Sequence, residues 1–358
     1  MSAAQPLPPP LSLHLDLVRF AAACVVAIGH FGARRVSDGM FHQVAPFGPA
    51  AVDVFFVLSG FVIAHSVAER PGTAAGYAVA RLSRLWSVVV PALVLTLVLD
   101  AAGSRIDPAF YASMPHFRPE LAWLAYPAAL LFLNEIWFAA WQPGTNLPYW
   151  SLGFEAWYYA CFGVLAFAPA GWRYAGVAGL LLLAGPKVAV LFPLWLLGVA
   201  AYRLCRRPPP SLWVSAVLAV SPAVLLALWP DWHHRIWVPF QALSFDWAVL
   251  ADYRYDYVVG LLFVVHILGL RGLASLLPMP GAAGVRLIRW LGGMTFGIYL
   301  FHYPVMHFLA VALPWPIGST ASRLGIALGT AAVVLALAHW AEATRPAWRA
   351  GLGRLFRA

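Results

Sequence analysis

Long apolar runs alternate with short stretches rich in arginine and proline along almost the whole chain. The runs fall at approximately 13–31, 49–67, 85–101, 120–137, 149–169, 174–201, 211–229, 254–270, 290–312 and 321–342. Most are close to the ~20 residues that an α-helix needs to cross a bilayer. The pattern predicts an all-α polytopic membrane protein with about ten transmembrane helices and both termini cytoplasmic. A β-barrel is disfavoured, because its strands alternate apolar and polar residues over short segments. Two runs carry polar residues that complicate a simple crossing. Segment 120–137 contains Pro127, Asn134 and Glu135 and reads as a crossing or a re-entrant element. Segment 174–201 contains Pro186-Lys187 and reads as a kinked helix or a tight hairpin.

Composition supports the membrane class. Of 358 residues, 62% are hydrophobic and only 10% charged, with a mean hydropathy of +0.77. An ordinary globular chain is about 25% charged. The net charge of +9 comes from clusters at Arg81/Arg84, Arg203/Arg206/Arg207, Arg271/Arg286/Arg289 and Arg345/Arg349/Arg354/Arg357. In a soluble chain these would suggest nucleic acid. In a polytopic one, short cytoplasmic loops carry such an excess and set orientation, so no nucleic-acid partner is implied. Cys24, Cys161 and Cys205 have neither redox nor metal-ligand spacing. The pattern divides the chain into a disordered tail at 1–12, one transmembrane domain at 13–342 and a basic cytoplasmic tail at 343–358. The aromatic stretch 230–253 reads as an outer-face loop or a half-helix at the interface, where Trp and Tyr concentrate.

Polar residues inside these runs are where chemistry is expected, since an ionisable group in a transmembrane segment is expensive. Arg19 and His30 are eleven residues apart, which is close to three helical turns and puts both on one face, roughly 16 Å apart along the axis. Asp16 stands one turn before Arg19 and is a candidate partner for it. In the second run Asp53 needs a partner, with His30 and Arg34 as candidates, while Ser59-Gly60 permits close helix packing. Arg81 and Arg84 share a helix face and suit a polyanion, although orientation alone also explains them. Trp150-Ser-Leu-Gly-Phe-Glu155 places a carboxylate about one turn inside a helix. Tyr299 and His302 lie three apart on one face, and Pro304 opens the backbone beside them, a feature tolerated where a cavity is lined.

Taken in order, these stretches resemble the acyltransferase 3 family of integral membrane acyltransferases. The motifs that carry the resemblance are Arg19-x10-His30, Val52 to Phe61, Arg81-x-x-Arg84, Trp150-Ser-Leu-x-x-Glu155 and Gly297-Ile-Tyr-Leu-Phe-His302. One departure is Phe20, where many members have a small glycine after the arginine. The resemblance implies transfer of an acyl group, commonly acetyl from acetyl-CoA, to a hydroxyl of a sugar or similar acceptor, with no metal. In bacteria such acceptors include lipopolysaccharide O-antigen, exopolysaccharide, peptidoglycan and oligosaccharide signals, and macrolides on the cytoplasmic side.

Under that resemblance His30 is the catalytic base or a covalent acyl carrier, and Asp53 or Glu155 orients it. Arg19 or Tyr299 stabilises the thioester oxyanion. Arg81 and Arg84 bind the acyl-CoA phosphates, and Tyr299, His302 and Trp150 line the substrate pocket. The implied setting is the bacterial inner membrane, with the lipid bilayer, a carbohydrate or glycolipid acceptor and polysaccharide-assembly proteins as partners. A proton-coupled transporter or flippase is the alternative that the polar stripe leaves open, and a non-catalytic scaffold is a third reading.

Overall fold

A computed structural model of the chain describes residues 7–69, 72–232 and 254–356. Every regular element among them is helical. The principal helices are α1 (Pro9–Phe31), α2 (Gly48–Glu69), α3 (Ala74–Ile106), α4 (Ala122–Leu130), α5 (Trp150–Phe167), α6 (Arg173–Ala184), α7 (Pro186–Cys205), α8 (Leu212–Ala227), α9 (Arg254–Gly272), α10 (Ala282–Ala312) and α11 (Thr320–Phe356). Seven of them, α1, α2, α3, α7, α9, α10 and α11, are long and apolar enough to cross a bilayer. The protein is a multi-pass membrane protein.

Both ambiguous runs resolve into broken helices. In 120–137 only α4 forms a regular α-helix of more than one turn, and nine residues give about 14 Å, less than half of the ~30 Å hydrocarbon core. The chain then continues without regular helix to the short 3-10 turn Leu147–Tyr149, with left-handed backbone at Phe132, Trp137 and Gly144. Segment 174–201 is interrupted at Gly185, whose φ is +93°. A Cβ at Gly185 would collide with the Trp137 backbone, so only glycine fits between α6 and α7. α1 begins at Pro9, and α11 continues as helix to Phe356, through most of the basic stretch. The one-turn helix Trp229–Trp232 opens the aromatic stretch 230–253, whose remaining residues from 233 lie outside the described ones.

The chain forms two compact units. The first comprises Met1–Ala22, Pro46–Pro71 and Val190–Gly293. Within it Gly60 of α2 lies against the Trp195 carbonyl of α7, and Gly198 lies against the Val57 carbonyl, so neither position has room for a Cβ. These two glycines give the close α2–α7 crossing that Ser59-Gly60 predicts. Helices α8 and α9 pack similarly, with Gly269 against the Ala219 backbone. The Arg271 guanidinium donates to the Cys205 carbonyl at 3.1 Å and satisfies the end of α7.

The second unit comprises Ala23–Ala45, Gly72–Ala189 and Met294–Ala358. Thr73 caps α3 by accepting from the Gly76 amide at 3.0 Å. α3 packs against α5 and α11, and α5 against α6. Gly297 of α10 meets Ala338 of α11 at a distance that excludes a larger residue. Phe31, Val36, Met306, Ala310 and Ile326 form an apolar core cluster within this unit.

Candidate active site

The site of interest grows from a proline. Pro304 lies inside α10 and has no N–H to offer the carbonyl four residues back, which belongs to Leu300. The Asn146 side-chain amide fills that gap, with Nδ2 donating to Leu300 O at 3.0 Å. Its second hydrogen goes to Thr96 Oγ1 at 3.2 Å, and Thr96 in turn donates to Ala92 O at 2.7 Å. Both Asn146 partners are thus acceptors, which fixes the amide orientation and leaves Oδ1 buried with no partner. Next to it Thr145 binds Asp100 through its amide and its hydroxyl, each at 2.7 Å. The segment leading into α5 is therefore fastened to α3 and α10.

Two residues before Pro304, His302 is buried, and its Nδ1 donates to Ile298 O at 2.9 Å. A carbonyl can only accept, so Nδ1 carries the proton and the neutral ring presents a bare Nε2. That Nε2 is 2.9 Å from His30 Nδ1, with the rings stacked at 5.2 Å. For the uncharged pair one arrangement remains: His30 Nδ1–H donates to His302, and His30 Nε2 carries a lone pair. His30 Nε2 makes no hydrogen bond to another described residue, and His30 is only partly buried. The arrangement is that of a general base held by an orienting acceptor, with a histidine in the place of the usual carboxylate.

A polar seam in the same unit joins this pair to the arginines. The Arg84 guanidinium lies over the Phe296 ring at 5.0 Å and 3.8 Å from Glu342, which also holds Arg345 at 2.5 Å. Arg81 lies over Tyr77 at 5.8 Å, with its Nε buried and unpartnered. The Tyr77 hydroxyl donates to Tyr159 O at 2.9 Å, and the Tyr159 hydroxyl donates to Glu155. Glu155 is in electrostatic range of Tyr299, whose hydroxyl bonds Ser151 at 2.9 Å. Tyr299 stands one turn before His302.

Of the residues singled out in the sequence, His30, Arg81, Arg84, Glu155, Tyr299 and His302 belong to this seam. Trp150 sits at the start of α5, its ring perpendicular to that of Phe154 with centroids 5.3 Å apart. Arg19 and Asp53 lie in the first unit. Arg19 pairs with Asp16 at 3.6 Å, as its spacing predicts, and Asp16 also holds Arg289. Asp53 is buried in α2, and its electrostatic neighbour in that unit is Asp256.

Three further residues of the second unit escaped the sequence reading. Tyr303 meets His30 edge-on at 4.9 Å and stacks on His307 at 4.2 Å. His307 Nδ1 donates to Tyr303 O at 2.9 Å, and its Nε2 is buried without a partner. His116 donates to Thr145 O at 3.2 Å, and burial pushes it below the ordinary histidine range, so it is neutral. His307 follows Tyr303 by four residues, the one sequence signal available. His116 sits in an irregular connection and gives none. No group of three or more His, Cys, Asp or Glu side chains that could hold a metal is present among the described residues.

The family model described as an acyltransferase domain, type 3, matches residues 13–340. The exopolysaccharide production protein ExoZ of Rhizobium meliloti is 27% identical, over 86% of this chain and 92% of its own length. The acyltransferase MdmB of Streptomyces mycarofaciens is 25% identical, over 87% and 84% respectively. No solved structure matches the chain. With nearly the whole chain spanned by the family's domain, the protein belongs to this acyltransferase family and is an acyltransferase.

Proposed function

We propose that the protein transfers an acetyl group from cytoplasmic acetyl-CoA to a hydroxyl of a cell-envelope or exported carbohydrate, in a bacterial inner membrane. The observation that carries this reading is the bare Nε2 of His30, produced by the Ile298–His302–His30 relay. His30 Nε2 takes the proton of the acceptor hydroxyl as its oxygen attacks the thioester carbonyl carbon. The tetrahedral intermediate collapses, the C–S bond breaks, and the departing CoA thiolate takes the proton back from His30. The products are the O-acetyl ester and CoA thiol. Base catalysis of this kind is worth about 10²–10⁴-fold.

His302 is a positioning residue in this scheme, since it acts through His30 and accepts from the imidazolium that forms. Tyr299 is the proposed donor to the thioester oxygen. Arg81 and Arg84 take the phosphates of the donor, a role that suits guanidinium forks, and the Tyr77–Tyr159–Glu155 seam runs from there toward His30. The carbohydrate acceptor is supported by the relative named for exopolysaccharide production. Membership of an acyltransferase family removes the ground for the transporter alternative.

The test is CoA-thiol release from acetyl-CoA by the purified protein in lipid nanodiscs, wild type beside His30→Ala. Release that disappears in a variant still inserted and folded is the expected result. Wild-type turnover retained by His30→Ala would overturn the assignment.

A further inference from the structure

The hydrogen-bonding capacity left over around His30 has one sign. His30 Nε2, His307 Nε2 and Asn146 Oδ1 have no partner among the described residues, and in the neutral site each of these atoms can only accept. The last two are fully buried, on residues 1% and 0% exposed, where an unsatisfied polar atom is costly. All three belong to residues held along one stretch of α10. Asn146 is tied at Leu300, His30 at His302, and His307 follows one turn beyond Tyr303. Leu300 and His307 are seven residues apart, about 10 Å along the axis. His116 and Arg35 lie within electrostatic range of His307 from the neighbouring connections, and Arg35 is bonded to Ser113.

Resting on the acyl-transfer reading above, we infer that His307 Nε2 and Asn146 Oδ1 belong to the acceptor subsite beside His30, and that it binds a saccharide through hydroxyls other than the reacting one. A ligand for these atoms must donate. A polyol does so at several positions at once, whereas a phosphate or carboxylate at the same places meets only lone pairs. Recognition of this kind discriminates strongly, because a ligand lacking the hydroxyl leaves the buried acceptors unpaired.

The test measures acetyl transfer from acetyl-CoA to a panel of p-nitrophenyl mono- and disaccharide glycosides, with cyclohexanol as the single-hydroxyl control. Wild type, His307→Phe and His307→Gln are compared in nanodiscs, alongside their melting temperatures. The expected result is a wild-type preference in kcat/KM for at least one glycoside over cyclohexanol. His307→Phe should shrink that preference about tenfold, through KM. His307→Gln, which keeps an acceptor atom, should restore part of it. Replacing an orphaned nitrogen by an apolar ring relieves a desolvation cost. A merely structural His307 therefore predicts a held or raised melting temperature with the preference intact, and that outcome overturns the inference. A wild type that releases CoA but does not distinguish glycosides from cyclohexanol overturns it as well. Binding of radiolabelled acetyl-CoA without transfer to any probe also counts against the subsite alone. Failure to bind acetyl-CoA at all removes the acyl-transfer reading beneath it.

Discussion

Lys187 Nζ lies 2.6 Å from Glu135 Oε2, and both side chains are buried. The same ammonium also donates to Ala139 O, and Gln142 donates to the other Glu135 oxygen at 3.1 Å. This group fastens the irregular connection after α4 to the first turn of α7. Removing one member leaves a buried charge without its counter-ion, which costs about 3–5 kcal/mol. Lys187→Met should therefore lower the melting temperature in detergent sharply. Glu135→Gln added to it should recover most of the loss. Additive losses in the double variant would show that the two side chains do not interact.

The His302–His30 hydrogen bond predicts a split in the kinetics. His302→Leu takes away the acceptor that holds His30 Nδ1–H, and kcat should fall about a hundredfold or more. KM for acetyl-CoA should stay put, because His302 does not contact the donor in the proposed scheme. His302→Gln offers an oxygen near the lost nitrogen and should rescue part of kcat. Equal activity in the leucine and glutamine variants would deny His302 a positioning role.

Pro304 sets up a contest between stability and activity. Pro304→Ala returns an N–H to α10 that bonds Leu300 O and displaces Asn146 Nδ2. The helix gains a bond, so the melting temperature should hold or rise. Misplacing the segment before α5 by about 1 Å should nevertheless reduce kcat about ten- to a hundredfold. A variant with full activity would show that Asn146 needs no help from Leu300.

Glu342 competes with any anion for Arg84. Glu342→Gln should lower KM for acetyl-CoA, whereas Arg84→Ala and Arg81→Ala should raise it. Both effects should fade as salt is raised, since the Debye length shortens to ~3 Å at 1 M. Values of KM that ignore all three substitutions would return the arginines to a purely topological role.

The features legible in the sequence were those written locally. Asp16 and Arg19 pair because they are one turn apart, Gly60 packs closely because it lacks a side chain, and Pro304 opens α10 because it lacks an N–H. The extent of the helices was less legible. Segment 120–137 has the hydropathy of a crossing, yet α4 stops at Leu130. The polar residues that complicated it and segment 174–201 are Glu135 and Lys187, 52 residues apart and partners to each other. No local pattern announces a pairing of that range. The same holds for His116, which reaches the site from an irregular connection, and for His30 and His302, each visible alone but paired across 272 residues.

Phe296, Tyr299, His302 and His307 all ride on one helix, α10. Phe296 marks the level of the guanidinium and His302 the level of the base, six residues or about 9 Å further along the axis. The spacing between the proposed anion-binding end and the proposed reacting end is therefore a matter of counting residues, like notches on a gauge. Enlarging or shaving side chains around it alters fit without changing the count. A single residue inserted between Gly297 and Phe301 would advance the base by about 1.5 Å and swing it through ~100°. Such an insertion would disconnect the two ends while leaving every side chain of both intact.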